Sequence, residues 1–235
     1  MKIGFIGDTH GRWNLLKTAM RVLDTDVYIQ VGDFGFWPGI VEGLQLDKPL
    51  YWIDGNHEHH HMIQQVFDCD KREPQPAPFN KNLIYLPRGT SLEFDGIKFG
   101  FIGGAWSIDF WHRTDGVNVF LKEELLGDEH KHILEADFMV THDVFTDAYE
   151  NLGLPDPYPI FGVPREKCNT QTQIGLQSVF ERVKPKWWIH GHYHTFKRVT
   201  LNECDVVSLH AADIDFQNSL FVFDTETRKL SKCTQ

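Results

Sequence analysis

The chain has 235 residues, of which 41% are hydrophobic and 24% charged, and its formal net charge is −10. This composition is typical of a globular protein and excludes a disordered or fibrous one, and the length predicts a single domain over residues 1–235. The acidic balance disfavours stable binding to nucleic acid, which needs basic surface. Because no apolar run approaches the roughly 18 residues of a membrane span, we expect a cytoplasmic protein without membrane contact.

Five short apolar runs along the chain each end in a polar loop. Near-continuous apolar runs of this length predict strands that are covered on both faces. In chain order the runs are KIGFI (2–6), DVYIQV (26–31), LYWI (50–53), ADFMV (136–140) and KWWI (186–189). Between the first two, the apolar residues of 14–23 fall on one helical stripe, which predicts a β-α-β unit. Residues 58–68 and 172–184 are further helix candidates.

The remaining strand signals have the pattern of antiparallel pairs. Residues 91–104 contain two strand runs about an Asp95-Gly96 turn, which is a strong hairpin signal, and similar runs continue to the C-terminus. A crossover half followed by an antiparallel half predicts an α/β (α+β) fold, with two packed sheets flanked by helices. Residues 70–82 are expected to form a linker-like loop, and residues 144–170 an irregular insertion that forms a lid or covers a sheet edge.

The loops that follow the five runs carry residues typical of metal sites. Neighbouring parallel strands place such loops at the C-terminal edge of a sheet, where open α/β folds bind ligands. In an extended segment, residues two apart point the same way, so D-x-H and H-x-H each supply two converging ligands. The loops contribute, in chain order, Asp8, His10, Asp33, Asn56, His57, Glu58, His142, His192 and His194.

A set of carboxylate, imidazole and amide groups without a thiolate suits borderline divalent ions. We expect Mn²⁺, with Fe, Zn, Ni, Co and Mg as alternatives. The loops offer more ligands than one tetrahedral ion can use, and so many ligands suit two ions that share a carboxylate. Taken singly, Asp8 and Asp33 are equally typical of turns, and His142 is typical of a core histidine. Only their joint pattern favours a metal site.

Five sequence blocks in order, GDTHG, GDFG, GNHE, THD and GHYH, extend from Gly7 to His194. Together they resemble the signature of the calcineurin-like metallophosphoesterases. The resemblance implies a two-sheet sandwich with two divalent metal ions at the strand edge and His57 as a general acid near the leaving-group oxygen. The implied ligands are Asp8, His10, Asp33 and His194 for the first ion, and Asp33, Asn56, His142 and His192 for the second, with Asp33 bridging.

Two such ions have a definite chemistry. At about 3.5–4 Å apart they can bridge a water, lower its pKa and clamp the phosphoryl oxygens of an in-line displacement. We expect hydrolysis of a phosphoester by attack of this bridging hydroxide. The ions outweigh the charges of Asp8, Asp33 and the hydroxide, so the site attracts a phosphate ester although the protein is acidic. Because histidines must be neutral to bind metal, activity should collapse below about pH 6.

The second block departs from that of protein-phosphatase-like members, G-D-x-x-D-R-G. Phe36 and Trp37 stand where an aspartate and an arginine are expected, so the carboxylate partner of His57 is open. An arginine would clamp a dianionic phosphate through two hydrogen bonds, and its absence favours phosphodiesters, which carry one negative charge. A phosphomonoesterase or protein phosphatase is the alternative. A non-catalytic scaffold is disfavoured because every ligand position is filled, and a nuclease because the protein is acidic.

Aromatic residues near these loops are candidates for stacking on a nucleobase, which contributes about 1–3 kcal/mol per base. Packing at the junction of sheet and loops is the alternative role for each of them. The candidates are Phe36, Trp37, Trp106, Phe110 and Trp111, and we name Phe36, Trp37 and Trp106 as substrate contacts. With the acidic surface, they favour a small nucleotide, such as a cyclic nucleotide, over long DNA.

Overall fold

The computed structural model describes residues 1–122 and 124–233. The strands are β1 (Lys2–Ile6), β2 (Val27–Gln30), β3 (Leu50–Trp52), β4 (Gln75–Ala77), β5 (Asn80–Tyr85), β6 (Thr90–Phe94), β7 (Ile97–Ile102), β8 (Phe138–Thr141), β9 (Trp187–His190), β10 (Lys197–Leu201), β11 (Cys204–Ser208), β12 (Leu220–Asp224) and β13 (Lys229–Lys232). The α-helices are α1 (Trp13–Leu23), α2 (His60–Val66), α3 (Thr146–Leu152), α4 (Tyr158–Phe161) and α5 (Gln171–Val183).

The strands form two mixed sheets that pack face to face. The first has the strand order β13-β12-β1-β2-β3-β5-β4 and the second β10-β11-β9-β8-β7-β6. Strands β1, β2, β3 and β5 are parallel, as are β7, β8, β9 and β11. Between the sheets, Phe5 stacks on Phe138 with ring centroids 5.0 Å apart. The predicted two-sheet fold flanked by helices is confirmed.

The helices cover the outer faces of the two sheets. Helix α1 connects β1 to β2, as the β-α-β prediction requires, and buries an apolar stripe that includes Leu16 and Met20. On the second sheet, Leu176 and Phe180 of α5 pack in one cluster with Trp188 of β9. Helix α2 lies inside the predicted range 58–68, and α5 begins and ends one residue before the predicted range 172–184.

The expectation that the five polar loops lie at the edge of one sheet is wrong. The C-terminal strands β12 and β13 return to the first sheet, where β12 pairs antiparallel with β1. The parallel strands β8 and β9 belong to the second sheet. The five polar loops therefore come from the edges of two sheets. The sequence did not indicate this, because an apolar run predicts a strand without identifying the strand beside it.

Both segments that we expected to lack regular structure contain some. Residues 70–82 include β4 and the start of β5, which form an antiparallel pair, and β5 continues the first sheet beside β3. Pro76 lies on the edge strand β4, where the lack of an N–H is tolerated. Residues 144–170 include α3, which packs on α5 and β10, and the short helix α4. In the described part of the chain, no helix has the length and apolarity to span a bilayer.

Candidate metal centre

Four side chains converge beyond the ends of β1, β2 and β9. They are the four expected for the first ion, Asp8, His10, Asp33 and His194, and one ligand atom from each lies within 4.8 Å of the others. The Nε2 atoms of His10 and His194 are 3.2 Å apart. His194 Nε2 is 3.1 Å from Asp8 Oδ2, and His10 Nε2 is 4.0 Å from Asp33 Oδ2. These atoms surround one point from three sequence-distant loops.

Residues expected for the second ion lie on the other side of Asp33. His142 Nε2 is 3.3 Å from Asp33 Oδ1 and 3.1 Å from Asn56 Oδ1. The Nδ1 atom of His142 is 2.9 Å from the carbonyl oxygen of Val31, and a hydrogen bond donated there leaves Nε2 free to bind a cation. The His192 ring lies beside His142, with centroids 5.1 Å apart. Asp33 is thus the residue shared by both groups.

The backbone at these ligands is not the extended one that we expected. His10, Asp33, His192 and His194 all have positive φ angles, of 46°, 50°, 72° and 46°. A left-handed conformation is uncommon for residues with a side chain and concentrates at functional sites. In the H-x-H segment, His194 joins the first group, whereas the His192 ring lies beside His142. Asp8 and His10 of the D-x-H segment do converge.

Two glycines of the sequence blocks make room for the ligands. A Cβ atom on Gly191 would lie 2.1 Å from Asp8 Oδ1, and one on Gly55 would lie 2.1 Å from Asp33 Oδ1. Any side chain at either position would push a candidate metal ligand out of place. The glycines in GNHE and GHYH are therefore explained by close packing against the two carboxylates.

The charges at the centre shift the pKa values of its residues strongly. Burial alone would raise the pKa of Asp33, but His142 and His57 beside the carboxylate hold it well below its ordinary range. Burial would lower the pKa of His142, yet Asp33 and Asp8 outweigh burial and raise it to about 10. The negative potential that holds a proton on His142 at neutral pH also attracts a divalent cation, which would displace that proton.

The donor set fits a divalent cation. Asp8 Oδ1 is buried and has no hydrogen-bond partner among the described residues, although a buried carboxylate oxygen ordinarily has one. The Nε2 atoms of His10 and His194 face each other at 3.2 Å, and both would coordinate a cation placed beside them. Carboxylate, imidazole and amide oxygen together match borderline divalent ions. That all seven side chains bind metal stays a prediction.

His57 lies beside the first group and has a partner that the sequence did not indicate. Its backbone N–H donates to Asp33 Oδ1 at 2.9 Å. Arg113 Nη2 contacts both ring nitrogens, at 3.1 Å from Nε2 and closer still to Nδ1, and Arg113 is paired with Asp109 at 2.8 Å. Burial lowers the pKa of His57 against the attraction of Asp33, and Arg113 lowers it further.

Two buried carboxylates, Glu58 and Glu124, support the loops around the centre. Glu58 accepts hydrogen bonds from the backbone N–H groups of Phe34, Gly35 and Phe36, at 2.6, 2.9 and 2.6 Å, and so fixes the loop after Asp33. Glu124 accepts from the N–H of Ser107 at 3.1 Å. Glu58 was visible as the last residue of GNHE, whereas Glu124 lies in a loop without any motif.

The three candidate substrate contacts have different surroundings. Phe36 is fully buried and stacks on Trp52 with centroids 5.0 Å apart. The expectation that Phe36 contacts substrate is therefore wrong, because a core ring cannot reach a ligand. Trp37 is half-buried, donates from Nε1 to the carbonyl oxygen of His57 at 2.8 Å, and lines a cavity of about 450 Å³. Trp106 lines a separate cavity of about 570 Å³.

The larger cavity extends from the candidate metal centre to the insertion at 144–170. Its wall includes Asn56, His57 and His192 on one side and Tyr149 and Ile160 of the insertion on the other. The insertion therefore forms part of the wall of this cavity. The smaller cavity, on the side of Trp37, is lined by His10, His57 and Arg113.

Comparison with known proteins gives one sequence match and several structural ones. The chain matches the family described as calcineurin-like phosphoesterase over residues 1–196, whereas no curated protein matches it. A dimetal phosphatase from Danio rerio is 13% identical, with a TM-score of 0.51, over 94% of this chain and 91% of that chain. A protein described as a novel archaeal phosphodiesterase is 15% identical, with a TM-score of 0.48, over 99% of this chain and 98% of that chain. At such identities, the similarity to the Danio rerio protein shows the fold alone.

Proposed function

Because the chain belongs to the calcineurin-like phosphoesterase family, we propose that it is a hydrolase of phosphodiesters, with small nucleotides such as cyclic nucleotides as its substrates. The observation that carries this proposal is the convergence of Asp8, His10, Asp33 and His194 beside two cavities that meet at His57. A linear phosphodiester has two organic substituents, and a cavity on each side of the reacting centre suits such an ester, whereas both ester bonds of a cyclic nucleotide lead to one ribose, which one cavity can hold.

The family uses divalent metal ions, and the residues fit two of them. In our proposal Asp8, His10, Asp33 and His194 hold one ion, and Asp33, Asn56, His142 and His192 hold the other, with Mn²⁺ as the favoured metal. Such ions, when bound, supply Lewis-acid activation of water and stabilise the charge of the phosphoryl group. The protein contributes ligands that are held in place by strained backbone and by close-packed glycines.

His57 is our candidate for the group that delivers a proton to the leaving oxygen. Its backbone is fixed at both ends, since its N–H donates to Asp33 and its carbonyl oxygen accepts from Trp37. This places the imidazole beside His10, with ring centroids 5.4 Å apart, and on the boundary of both cavities. A general acid needs such a fixed position within hydrogen-bond reach of the reacting atoms.

The larger cavity supports a substrate with an organic group of some size. Its volume of about 570 Å³ falls in the ordinary range of small-molecule sites and far exceeds the needs of a phosphate alone. Trp106, Ile108 and Tyr193 contribute to its lining, and an aromatic ring such as Trp106 can stack on a nucleobase. We expect no stable binding of long nucleic acid, because the chain has a net charge of −10.

A phosphomonoesterase is the second candidate, and one observation favours it. Arg113 beside His57 provides a guanidinium, although the second sequence block has Trp37 where an arginine is expected. A guanidinium is well suited to a dianionic phosphate. Its charge is offset by Asp109 at 2.8 Å, so the pair brings no net positive charge to the site. We therefore retain the phosphodiester as the favoured substrate.

A substrate panel assayed with Mn²⁺ tests the proposal. It comprises bis(p-nitrophenyl) phosphate, p-nitrophenyl phosphate, 2′,3′-cyclic and 3′,5′-cyclic nucleotides and linear dinucleotides. We expect higher kcat/KM for the diesters, loss of metal in Asn56→Ala, and slower turnover with metal retained in His57→Ala. A clear preference for monoesters would replace the first candidate with the second, and inactivity of the metal-loaded protein towards every ester would refute both.

A further inference from the structure

We propose that Arg113, held in place by Asp109, binds a non-bridging oxygen of the substrate's phosphoryl group, and that the pair sets a preference for singly charged over doubly charged phosphoesters. The inference rests on the proposed phosphoesterase function and names two residues that determine its specificity. Both lie in the loop after β7, far along the chain from the second sequence block, in which an arginine and an aspartate were expected and are missing.

Arg113 is held rigidly on one edge of its guanidinium. Its Nε donates to Asp109 Oδ2 at 2.9 Å, and its Nη2 lies 2.8 Å from the same oxygen. Its Nη1 donates to the carbonyl oxygen of Asn118 at 3.1 Å. The side chain is 15% exposed. A planar guanidinium anchored by several hydrogen bonds loses little further entropy when it binds an anion.

Besides Asp109, the Nη2 atom of the guanidinium faces the reacting centre. Nη2 contacts the ring of His57, and Arg113 lines the smaller cavity together with His10. His57 is itself bonded through its backbone to Asp33. A phosphoryl oxygen that lies between the candidate metal centre and His57 would therefore come within reach of Nη2. An anionic oxygen is a stronger acceptor than an imidazole nitrogen, so it would take over that hydrogen bond.

The charge of the pair explains a preference for a monoanion. Asp109 offsets the positive charge of Arg113 at close range, so a phosphate gains hydrogen bonds from the pair but no net attraction. Asp109 Oδ1 is buried without a hydrogen-bond partner among the described residues, and Asp109 also lines the larger cavity. A second negative charge on the substrate would be repelled by this carboxylate, whereas a diester carries only one charge.

The test uses the full-length, manganese-loaded protein and the variants Arg113→Met, Arg113→Lys and Asp109→Asn. KM and kcat are measured for bis(p-nitrophenyl) phosphate and p-nitrophenyl phosphate, and inorganic phosphate binding is measured by calorimetry. We expect Arg113→Met to raise KM for the diester and to weaken phosphate binding by about tenfold or more, with partial recovery in Arg113→Lys. Asp109→Asn should tighten phosphate binding and shift selectivity towards the monoester by roughly tenfold.

A matched pair outside both cavity linings serves as the control. Arg198 and Asp205 form a bidentate pair between β10 and β11, at 2.8 and 2.6 Å, and Arg198→Met and Asp205→Asn should leave KM and phosphate binding unchanged. Melting temperatures show whether each variant is folded. Unchanged phosphate affinity and unchanged ester selectivity in folded Arg113→Met and Asp109→Asn would overturn the inference. If the wild type hydrolyses neither ester but Arg113→Met still loses phosphate affinity, the proposed function fails and the anion site stands.

Discussion

The side-chain amide of Asn56 donates a hydrogen bond to the hydroxyl oxygen of Ser107 at 2.9 Å. Ser107 is held in turn by Glu124, which accepts from its backbone N–H at 3.1 Å. This series of hydrogen bonds orients the side-chain oxygen of Asn56, Oδ1, towards His142 Nε2, 3.1 Å away. Ser107 thus orients a candidate metal ligand without being one.

We predict that Ser107→Ala weakens Mn²⁺ binding by about tenfold, since loss of a group that orients a ligand typically costs 10–100-fold in metal affinity. The measurement is a calorimetric Mn²⁺ titration of the wild type and the variant. Ser91→Ala, at an exposed position of β6, is the control and should bind Mn²⁺ as the wild type does. Equal affinities in all three proteins would mean that Asn56 needs no support from Ser107.

Gly191→Ala adds only one methyl group, but we expect it to weaken metal binding at the centre strongly. The added Cβ atom would lie 2.1 Å from Asp8 Oδ1, so either the carboxylate or the loop must move. We expect Mn²⁺ affinity to fall by at least about tenfold because Asp8 can no longer reach its position in the first group. Gly43→Ala is the matched control, since nothing lies within 4 Å of the Cβ atom there. Wild-type Mn²⁺ affinity in Gly191→Ala would argue against Asp8 as a ligand.

Metal binding should depend on pH well above the ordinary range of histidine. The pKa of His142 is raised to about 10, so this residue carries a proton at neutral pH that a cation must displace. Between about pH 6.5 and pH 8.5, Mn²⁺ affinity should rise by up to about tenfold per pH unit, with proton release on binding, and activity should collapse below about pH 6. Titrations in buffers of different ionisation enthalpy count the protons. Affinity that does not change with pH would contradict this prediction.

The pair of His142 and Asp33 also predicts how the stability of the protein depends on pH after metal is removed with a chelator. Because the pKa of His142 in the folded protein exceeds its ordinary value of 6.5, the contribution of the pair to stability is fully present below that value. It is lost as pH rises towards about 10, since the unfolded chain releases the proton first. Urea unfolding of the wild type should show this loss, and His142→Gln should show a flatter dependence. If the free energy of unfolding changed with pH in the same way in both proteins, His142 would not be the residue responsible.

Much of the convergence of the candidate ligands could be predicted because these residues follow strands. Asp8, Asp33 and His142 each come shortly after an apolar run, so local sequence predicted both the strand and the polar residue at its end. The blocks were also ordered along the chain as in the family that they resemble. What local sequence could not predict was the partner of each strand. It did not indicate that β8 and β9 lie in the second sheet, apart from β1, β2 and β3.

The residues that sequence analysis missed reach the centre only through long-range contacts. Arg113, Asp109 and Ser107 lie in a loop of irregular structure, where neither apolar periodicity nor a motif marks a position. Phe36 was misassigned for a related reason, because an aromatic residue in a loop has the same sequence pattern whether it points to a ligand or to the core. The left-handed backbone at His192 and His194 likewise has no signal in residue type, since neither position is a glycine.

A buried ion pair joins the end of β3 to the loop after β5. Arg88 donates to Asp54 Oδ2 from Nε at 2.9 Å and from Nη2 at 2.6 Å, and both side chains are at most 9% exposed. Arg88→Met would leave Asp54 as a buried charge, and we expect it to lower the free energy of unfolding by about 3–5 kcal/mol. Arg88→Met combined with Asp54→Asn should cost less than Arg88→Met alone, because no unpaired charge stays buried.

The exposed pair of Lys98 and Glu135 provides the control for this effect. Their side chains are 46% and 71% exposed, and solvent screens such a pair, so Lys98→Met should unfold in urea as the wild type does. The pKa of Asp54 is held low because Arg88 outweighs its burial. The contribution of Asp54 is therefore present above its ordinary pKa and is lost as pH falls through the lowered value. Equal urea midpoints for the wild type and Arg88→Met would show that burial of this pair contributes nothing to stability.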